Sequence, residues 1–230
     1  MSQREIVLDT ETTGLDPTTG DRLVEIGCVE LINLIPSGQT FHVYLDPERD
    51  MPEEAFRVHG LSADFLKGKP KFVEVADQFL TFVGNDPLVI HNAEFDIKFL
   101  NAELGRVERP LLKMDRVVNT LSMARRKHPG ASNSLDALCA RYRIDNSRRT
   151  KHGALLDSEI LAEVYAELLG GRQSHFVLAE SQTVIVDQAM GNFMRKRETA
   201  LALTVTQGDL AAHAKLLEKL GEKAIWQRYL

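Results

Sequence analysis

The chain of 230 residues has only two cysteines and one tryptophan. Two thiols cannot build a disulfide framework, and Cys28 and Cys139 each sit among apolar neighbours. They read as buried free thiols of a protein from a reducing compartment, the cytoplasm. No apolar run approaches the roughly 20 residues of a membrane-spanning helix, so no membrane partner is expected. The first residues also lack the basic, apolar and small-residue regions of a signal peptide. Cations are in short supply, with a net charge of −5. A protein that grips nucleic acid unaided usually presents a basic surface, and this composition argues against one. The deficit is uneven, however. Residues 106–151 hold twelve Lys/Arg against four Asp/Glu, a local +8 that leaves −13 elsewhere. That stretch is either a set of helices exposing cations or a surface for a phosphate backbone.

Hydrophobic residues make up 43% of the chain. That is enough for a substantial core, and the length suits one large domain with a small appendage. Glu5-Ile6-Val7-Leu8 reads as a short buried strand ending at Asp9. Thr12 to Pro17 is a turn by its Gly and Asp-Pro chemistry. Residues 22–34 and 40–45 give two more strands, and the short loops imply an antiparallel meander. Beyond Pro52 the pattern is helical, with Phe72, Val75, Ala76, Phe79 and Val83 on one face. Leu88-Val89-Ile90 is a buried strand that stops at His91, and a helix starts near Ala93. Further helices are expected over 117–126, 134–143 and 154–169, the second capped by Ser132-Asn133-Ser134. Strands first and strand–helix alternation afterwards predict an α/β fold, a mixed β-sheet flanked by helices.

Gly170-Gly171 closes the last of these helices. Residues 172–198 are polar and weakly periodic, which suits a linker. Leu201, Leu203 and Val205 then alternate as in a strand. Thr206 and Asp209 resemble a capping box that opens a helix running to Leu220. The tail holding Trp226 is too small to fold well alone, so it is expected to dock on something.

Three clusters carry chemistry. Asp9 and Glu11 lie two residues apart at a strand end, so the period of 2 puts both on one face. Acids at the end of an apolar strand need neutralising, and a divalent cation would do so; taken alone, they are better explained as ordinary surface acids. The second cluster, His91 to Asp96, begins where a buried strand becomes a helix, a common place for sites. Glu94 and Asp96 point about 200° apart on a helix. Asp96 falls beside buried Phe99, so Asp96 is the candidate ligand and Glu94 the solvated one. In the third, His152 precedes a helix and Asp157 lies in its second turn among apolar residues. Together they make an oxygen-rich site of four carboxylates and one histidine, suited to Mg²⁺ or Mn²⁺ rather than zinc. Four carboxylates can hold two such ions about 4 Å apart, the arrangement for phosphodiester cleavage.

On these residues the chain resembles the DEDDh exonucleases of the ribonuclease H-like fold. The motifs are Asp9-Thr10-Glu11-Thr12-Thr13-Gly14, His91-Asn92-Ala93-Glu94-Phe95-Asp96, and His152 followed by Asp157, in that order. The likeness is greatest to the proofreading branch, the epsilon subunits of bacterial DNA polymerase III. The supporting stretches are Phe41 to Leu45, Glu54 to Gly60, Asn133 to Tyr142 and His152 to Val164. It covers residues 4–171 strongly and the tail loosely. Glu94 departs from the small residue expected before Phe95, but it points away from the site.

The resemblance implies that residues 1–171 are a 3′→5′ exonuclease domain acting on a DNA 3′ end and releasing nucleoside 5′-monophosphates. Asp9, Glu11, Asp96 and Asp157 would hold two divalent cations, Mg²⁺ or Mn²⁺. Asp9, Glu11 and Asp157 would also touch substrate. His152 would be the general base, a task suited to a side chain that exchanges protons near neutral pH. Glu54 and His59 match positions that contact the terminal nucleotide. In residues 172–198, Gln173, Phe176 and Leu178 form an imperfect sliding-clamp motif. Residues 199–230 would bind the alpha (polymerase) subunit of DNA polymerase III, and a small theta-like subunit is a further partner of such assemblies. An RNA-trimming exonuclease with the same chemistry and a non-catalytic tether on the same fold are the competing readings. The tail argues against the first and the complete set of five chemical side chains against the second.

Overall fold

The computed structural model describes residues 3–170 and 206–220. The chain divides into two compact units, Met1–Phe176 and Val177–Leu230. The first is built on a five-stranded sheet of order β3-β2-β1-β4-β5, with β1 Arg4–Thr12, β2 Leu23–Ile32, β3 Ile35–Tyr44, β4 Leu88–Ile90 and β5 Val117–Asn119. The first three strands form the expected antiparallel meander, and β4 and β5 pair parallel beside β1. The sheet is therefore mixed, with its direction change at β1.

Two strand boundaries differ from the sequence reading. β1 does not end at Asp9: Thr10, Glu11 and Thr12 continue the ladder opposite Ile26, Glu25 and Leu23. Hydrogen bonding to β2 carries this polar end, which hydrophobic periodicity does not register. β3 starts at Ile35 rather than at residue 40. Asn33 and Leu34 both take positive φ (53° and 67°) and make a tight two-residue hairpin turn. A helix expected over 117–126 is in fact β5 followed by a helix. Val117-Val118 lie parallel to β4, and the Asn119 side chain caps the helix by accepting the Leu121 and Ser122 N–H groups.

Helices α1 Glu53–His59, α2 Ala63–Leu66, α3 Phe72–Val83, α4 Ala93–Arg106, α5 Thr120–Lys127, α6 Leu135–Tyr142 and α7 Ala154–Leu168 complete the unit. Strand alternation sorts them onto two faces. Ile6 and Leu8 pack with Phe72, Phe79, Phe99 and Leu100 of α3 and α4. Val7 points the other way, into a cluster with Leu161 and Tyr165 of α7. Burying each such side chain contributes about 1.5–3 kcal/mol. Among the described residues no helix is long and apolar enough to cross a membrane. Both cysteines are buried and free.

In the second unit, α8 Gln207–Leu220 forms as expected. Thr206 N–H donates to Asp209 Oδ2 (2.8 Å), and Asp209 N–H donates to Thr206 Oγ1 (3.2 Å), a reciprocal cap. The linker with Gln173, Phe176 and Leu178, the strand at 201–205 and Trp226 lie outside the described residues.

The start of α7 rests directly on β2. A Cβ on Gly27 would come within 2.2 Å of the Leu155 nitrogen and 2.3 Å of the Ala154 carbonyl carbon. Ser158 Oγ donates to the Gly27 carbonyl (2.9 Å) and fixes the same contact. Only glycine allows this approach, because the opposing atoms are backbone and cannot rotate away. Gly27→Ala should destabilise the fold by about 1–3 kcal/mol, read as a melting point lower by roughly 2–10 °C. A melting point within a degree of wild type would show that α7 is not seated by this glycine.

Candidate active site

The site forms where β1 runs out between the two helix layers. Asp9 and Glu11 share the parity of Val7, so both project on the α7 side. Thr10 projects on the α4 side, where its hydroxyl donates to Asp96 Oδ1 (2.7 Å). Asn92, at φ 64°, turns the chain from β4 into α4 and so delivers Asp96 to the sheet end. Asp96 is 3% exposed, whereas Glu94 is exposed and accepts from Asn119 Nδ2 (2.7 Å). The two acids therefore face apart, Asp96 inward and Glu94 outward, as the helical period predicts. From the opposite layer, Asp157 in the first turn of α7 is also 3% exposed. Donor atoms of Glu11, His152 and Asp157 all lie within 4.8 Å of one another.

His152 sits on the loop before α7 with its side chain 46% exposed. The loop is pinned to α1: His152 N–H donates to the Val58 carbonyl (3.3 Å) and Lys151 Nζ donates to the Arg57 carbonyl (2.5 Å). Helix α1 also places Glu54 and His59 on the wall of the same cleft, which has a volume of about 590 Å³. Glu54 is exposed and His59 is buried. His59 Nδ1 accepts the Leu61 N–H (3.0 Å), so the ring proton is on Nε2. Burial holds this imidazole below its ordinary pKa, in the neutral form.

The carboxylates are under strong electrostatic load. Burial pushes Asp9 well above its ordinary pKa, and the charges of Asp96, Glu11 and Asp157 push the same way. Burial, followed by the charges of Asp157, Glu25 and Asp96, raises Glu11 to about 8. Burial raises Asp96 to about 7 even against the hydrogen bond from Thr10. Asp157 is the exception. Burial would raise it too, but the bonds from Arg149, with His152 close by, bring it below its ordinary value. Buried acids that resist ionising beside one another, all with oxygen donors, fit hard divalent cations. A cation would favour the charged forms that burial disfavours.

Two residues of this site were not singled out by the sequence. Thr10 stands between two acids, and its role follows from alternation only once Asp96 is known to approach from the other layer. Arg149 carries no local signal, being one cation among several in the basic stretch. Its side chain is 7% exposed and its guanidinium donates to both Asp157 oxygens, from Nε (2.5 Å) and Nη2 (2.7 Å).

The chain matches an exonuclease family, the RNase T model, over residues 6–165. It is 50% identical over 223 residues to the DNA polymerase III subunit epsilon of Rickettsia conorii, covering 95% of this chain and 97% of that protein. The subunit of the same name from Escherichia coli strain K12 is 44% identical over 239 residues, covering 97% of each. Among solved structures, Exonuclease X in complex with 5′ overhanging duplex DNA superposes with a TM-score of 0.57 at 26% identity, over 72% of this chain and 90% of the other. The nuclease domain of 3′hExo, a DEDDh family member bound to rAMP, has a TM-score of 0.63 at 18% identity, over 73% and 92%, and shares the fold.

The raised carboxyls make a pH-dependent prediction. Between about pH 5 and about 8 the folded chain keeps protons on Glu11 and Asp96 that the unfolded chain releases. More protons on the folded state means that stability falls as pH rises through this window. Glu11→Gln removes its share of that loss. In EDTA its melting point should therefore gain on wild type from pH 5 to pH 8, and saturating Mn²⁺ should cancel the gain by stabilising the ionised wild-type site. A difference independent of pH would show that Glu11 is ordinary in its protonation.

Proposed function

The chain belongs to the exonuclease family of the DNA polymerase III epsilon subunits, and from this we propose that the cleft at the end of β1 hydrolyses the terminal phosphodiester at a DNA 3′ end. The enzyme is a proofreading 3′→5′ exonuclease whose chemistry depends on divalent metal. The observation that carries the assignment to this cleft is the convergence of Asp9, Glu11, Asp96, Asp157 and His152 from the end of β1, helices α4 and α7 and the loop before α7. Asp9, Glu11, Asp96 and Asp157 would hold two cations, Mg²⁺ or Mn²⁺. When bound, such ions lower the pKa of water and stabilise the charge on the leaving 3′ oxygen.

The protein's own groups do the rest. His152, half-exposed at the mouth, accepts the proton of the attacking water. Glu54 and His59, on the α1 wall, contact the terminal nucleotide, with His59 Nε2–H as the donor. Asp9, Glu11 and Asp157 face the same phosphate. Thr10 fixes Asp96 so that its carboxylate does not turn away when the substrate arrives. Residues 1–171 would suffice for this chemistry. Residues 172–198 would act as a linker that offers Gln173, Phe176 and Leu178 to a sliding clamp, and residues 199–230 would bind the alpha subunit of DNA polymerase III. A small theta-like subunit is a further expected partner, and the cytoplasm is the expected compartment. The low overall cation content supports reliance on partners to hold DNA.

A mismatched primer–template with Mg²⁺ tests the assignment. Asp9→Ala should abolish release of 5′-mononucleotides, and His152→Ala should lower kcat by about 10²- to 10⁴-fold. Wild-type rates in Asp9→Ala would overturn it, and faster turnover of an RNA 3′ end than of DNA would favour an RNA-trimming enzyme. A chain ending at Gly171 should keep the nuclease activity and lose binding to the polymerase subunit. Loss of both would contradict the division at residue 171.

A further inference from the structure

Arg149 makes an unusual set of bonds for a residue of a carboxylate site. It takes both oxygens of Asp157. Its Nη2 also donates to His152 Nδ1 (2.7 Å). Its Nη1 donates to both oxygens of Asp136 (2.9 Å each), an exposed carboxylate on α6. These bonds bear directly on the two groups the chemistry needs. A bidentate guanidinium engages the lone pairs that a cation on Asp157 would use. A donor on Nδ1 uses the one acceptor nitrogen of a neutral imidazole and leaves the ring proton on Nε2. In that arrangement His152 has no nitrogen free to accept a proton.

Resting on the assignment of Asp157 as a metal ligand and His152 as the base, we propose that Arg149 is a positioning residue that competes with the divalent cation for Asp157 and must withdraw from it before His152 can act. The geometry provides for the withdrawal. Asp136 holds the far edge of the guanidinium, so Arg149 can leave Asp157 without losing its anchor. Asp157 Oδ2 already lies 3.3 Å from His152 Nδ1. Once Arg149 leaves, Nδ1–H can donate to that oxygen, and Nε2 becomes the free acceptor. A phosphodiester entering the cleft is an anion able to take the released guanidinium. Release therefore couples cation binding, substrate entry and the tautomer of the base.

Mn²⁺ binding to the full chain, followed by calorimetry, separates competition from simple support of Asp157. Arg149→Met should bind Mn²⁺ about tenfold tighter than wild type, as expected when a charge-assisted competitor is removed. Arg149→Lys keeps the charge but cannot span both oxygens, so its affinity should fall between the two. Unchanged or weaker binding by Arg149→Met would overturn the proposal. Wild-type affinity in Arg149→Lys would overturn the bidentate contact as its cause. The ¹⁵N shifts of the His152 ring give an independent reading in EDTA: Nε2–H in wild type and Nδ1–H in Arg149→Met, with the same tautomer in both counting against the proposal. A wild-type chain that binds no Mn²⁺ would instead overturn the metal-site assignment, an outcome distinct from the others.

Discussion

Four carboxylates meet at the end of one strand, and three of them, Glu11, Asp96 and Asp157, are almost out of water. Mutual repulsion and desolvation both oppose their ionisation. Each neighbouring feature offsets part of that load. Thr10 gives Asp96 a hydroxyl from the strand's other face. Arg149 gives Asp157 a charge-assisted pair. Glu25, next to Glu11 across the ladder, is bonded to His42 (2.7 Å). Among the described residues Glu11 and Asp9 receive no such partner, and they are the two acids whose environment most favours an incoming cation.

Holding these acids together requires the two helix layers to be in register with the sheet. On one side the αL residue Asn92 bends the chain sharply enough for α4 to begin at the sheet end. On the other, Gly27 lets the backbone at the start of α7 touch β2, which sets the height of Asp157 above Glu11. Neither residue bears chemistry, yet each sets a position that the chemistry requires. This explains how a small glycine on β2, far from the acids in sequence, belongs to the same constraint as the acids themselves.

Much of this was legible in the sequence because it rests on local periods. The period of 2 paired Asp9 with Glu11, and the helical period separated Asp96 from Glu94. The meander, the capping of α6 by Ser134 and the opening of α8 by Thr206 follow from short-range chemistry as well. The misread segments are those where pairing overrides composition. The apolar run of β1 stops before Asp9, yet the ladder continues to Thr12, and Val117-Val118 look like the start of a helix but add an edge strand. Arg149 was illegible for a different reason. Its partners Asp136, His152 and Asp157 come from α6, a loop and α7, and no spacing rule links a cation to acids thirteen residues before it and eight after.

The charge balance of the cleft bears on why the family's chemistry needs metal at all. Its described lining carries six acids, Asp9, Glu11, Asp21, Glu54, Asp96 and Asp157, and one permanent cation, Arg149. With those acids ionised, such a surface repels a phosphodiester before any bond is made or broken. Arg149 cannot correct this while both Asp157 oxygens engage it. Divalent cations on Asp9 and Glu11 would supply positive charge for substrate entry while relieving the same acids. Metal held there would serve binding as well as bond cleavage. The basic stretch of residues 106–151 lies apart in sequence from Asp9 and Glu11, and Arg149 alone of its cations lines the cleft. Arg125 and Arg126, at the end of α5, are exposed cations outside the cleft lining.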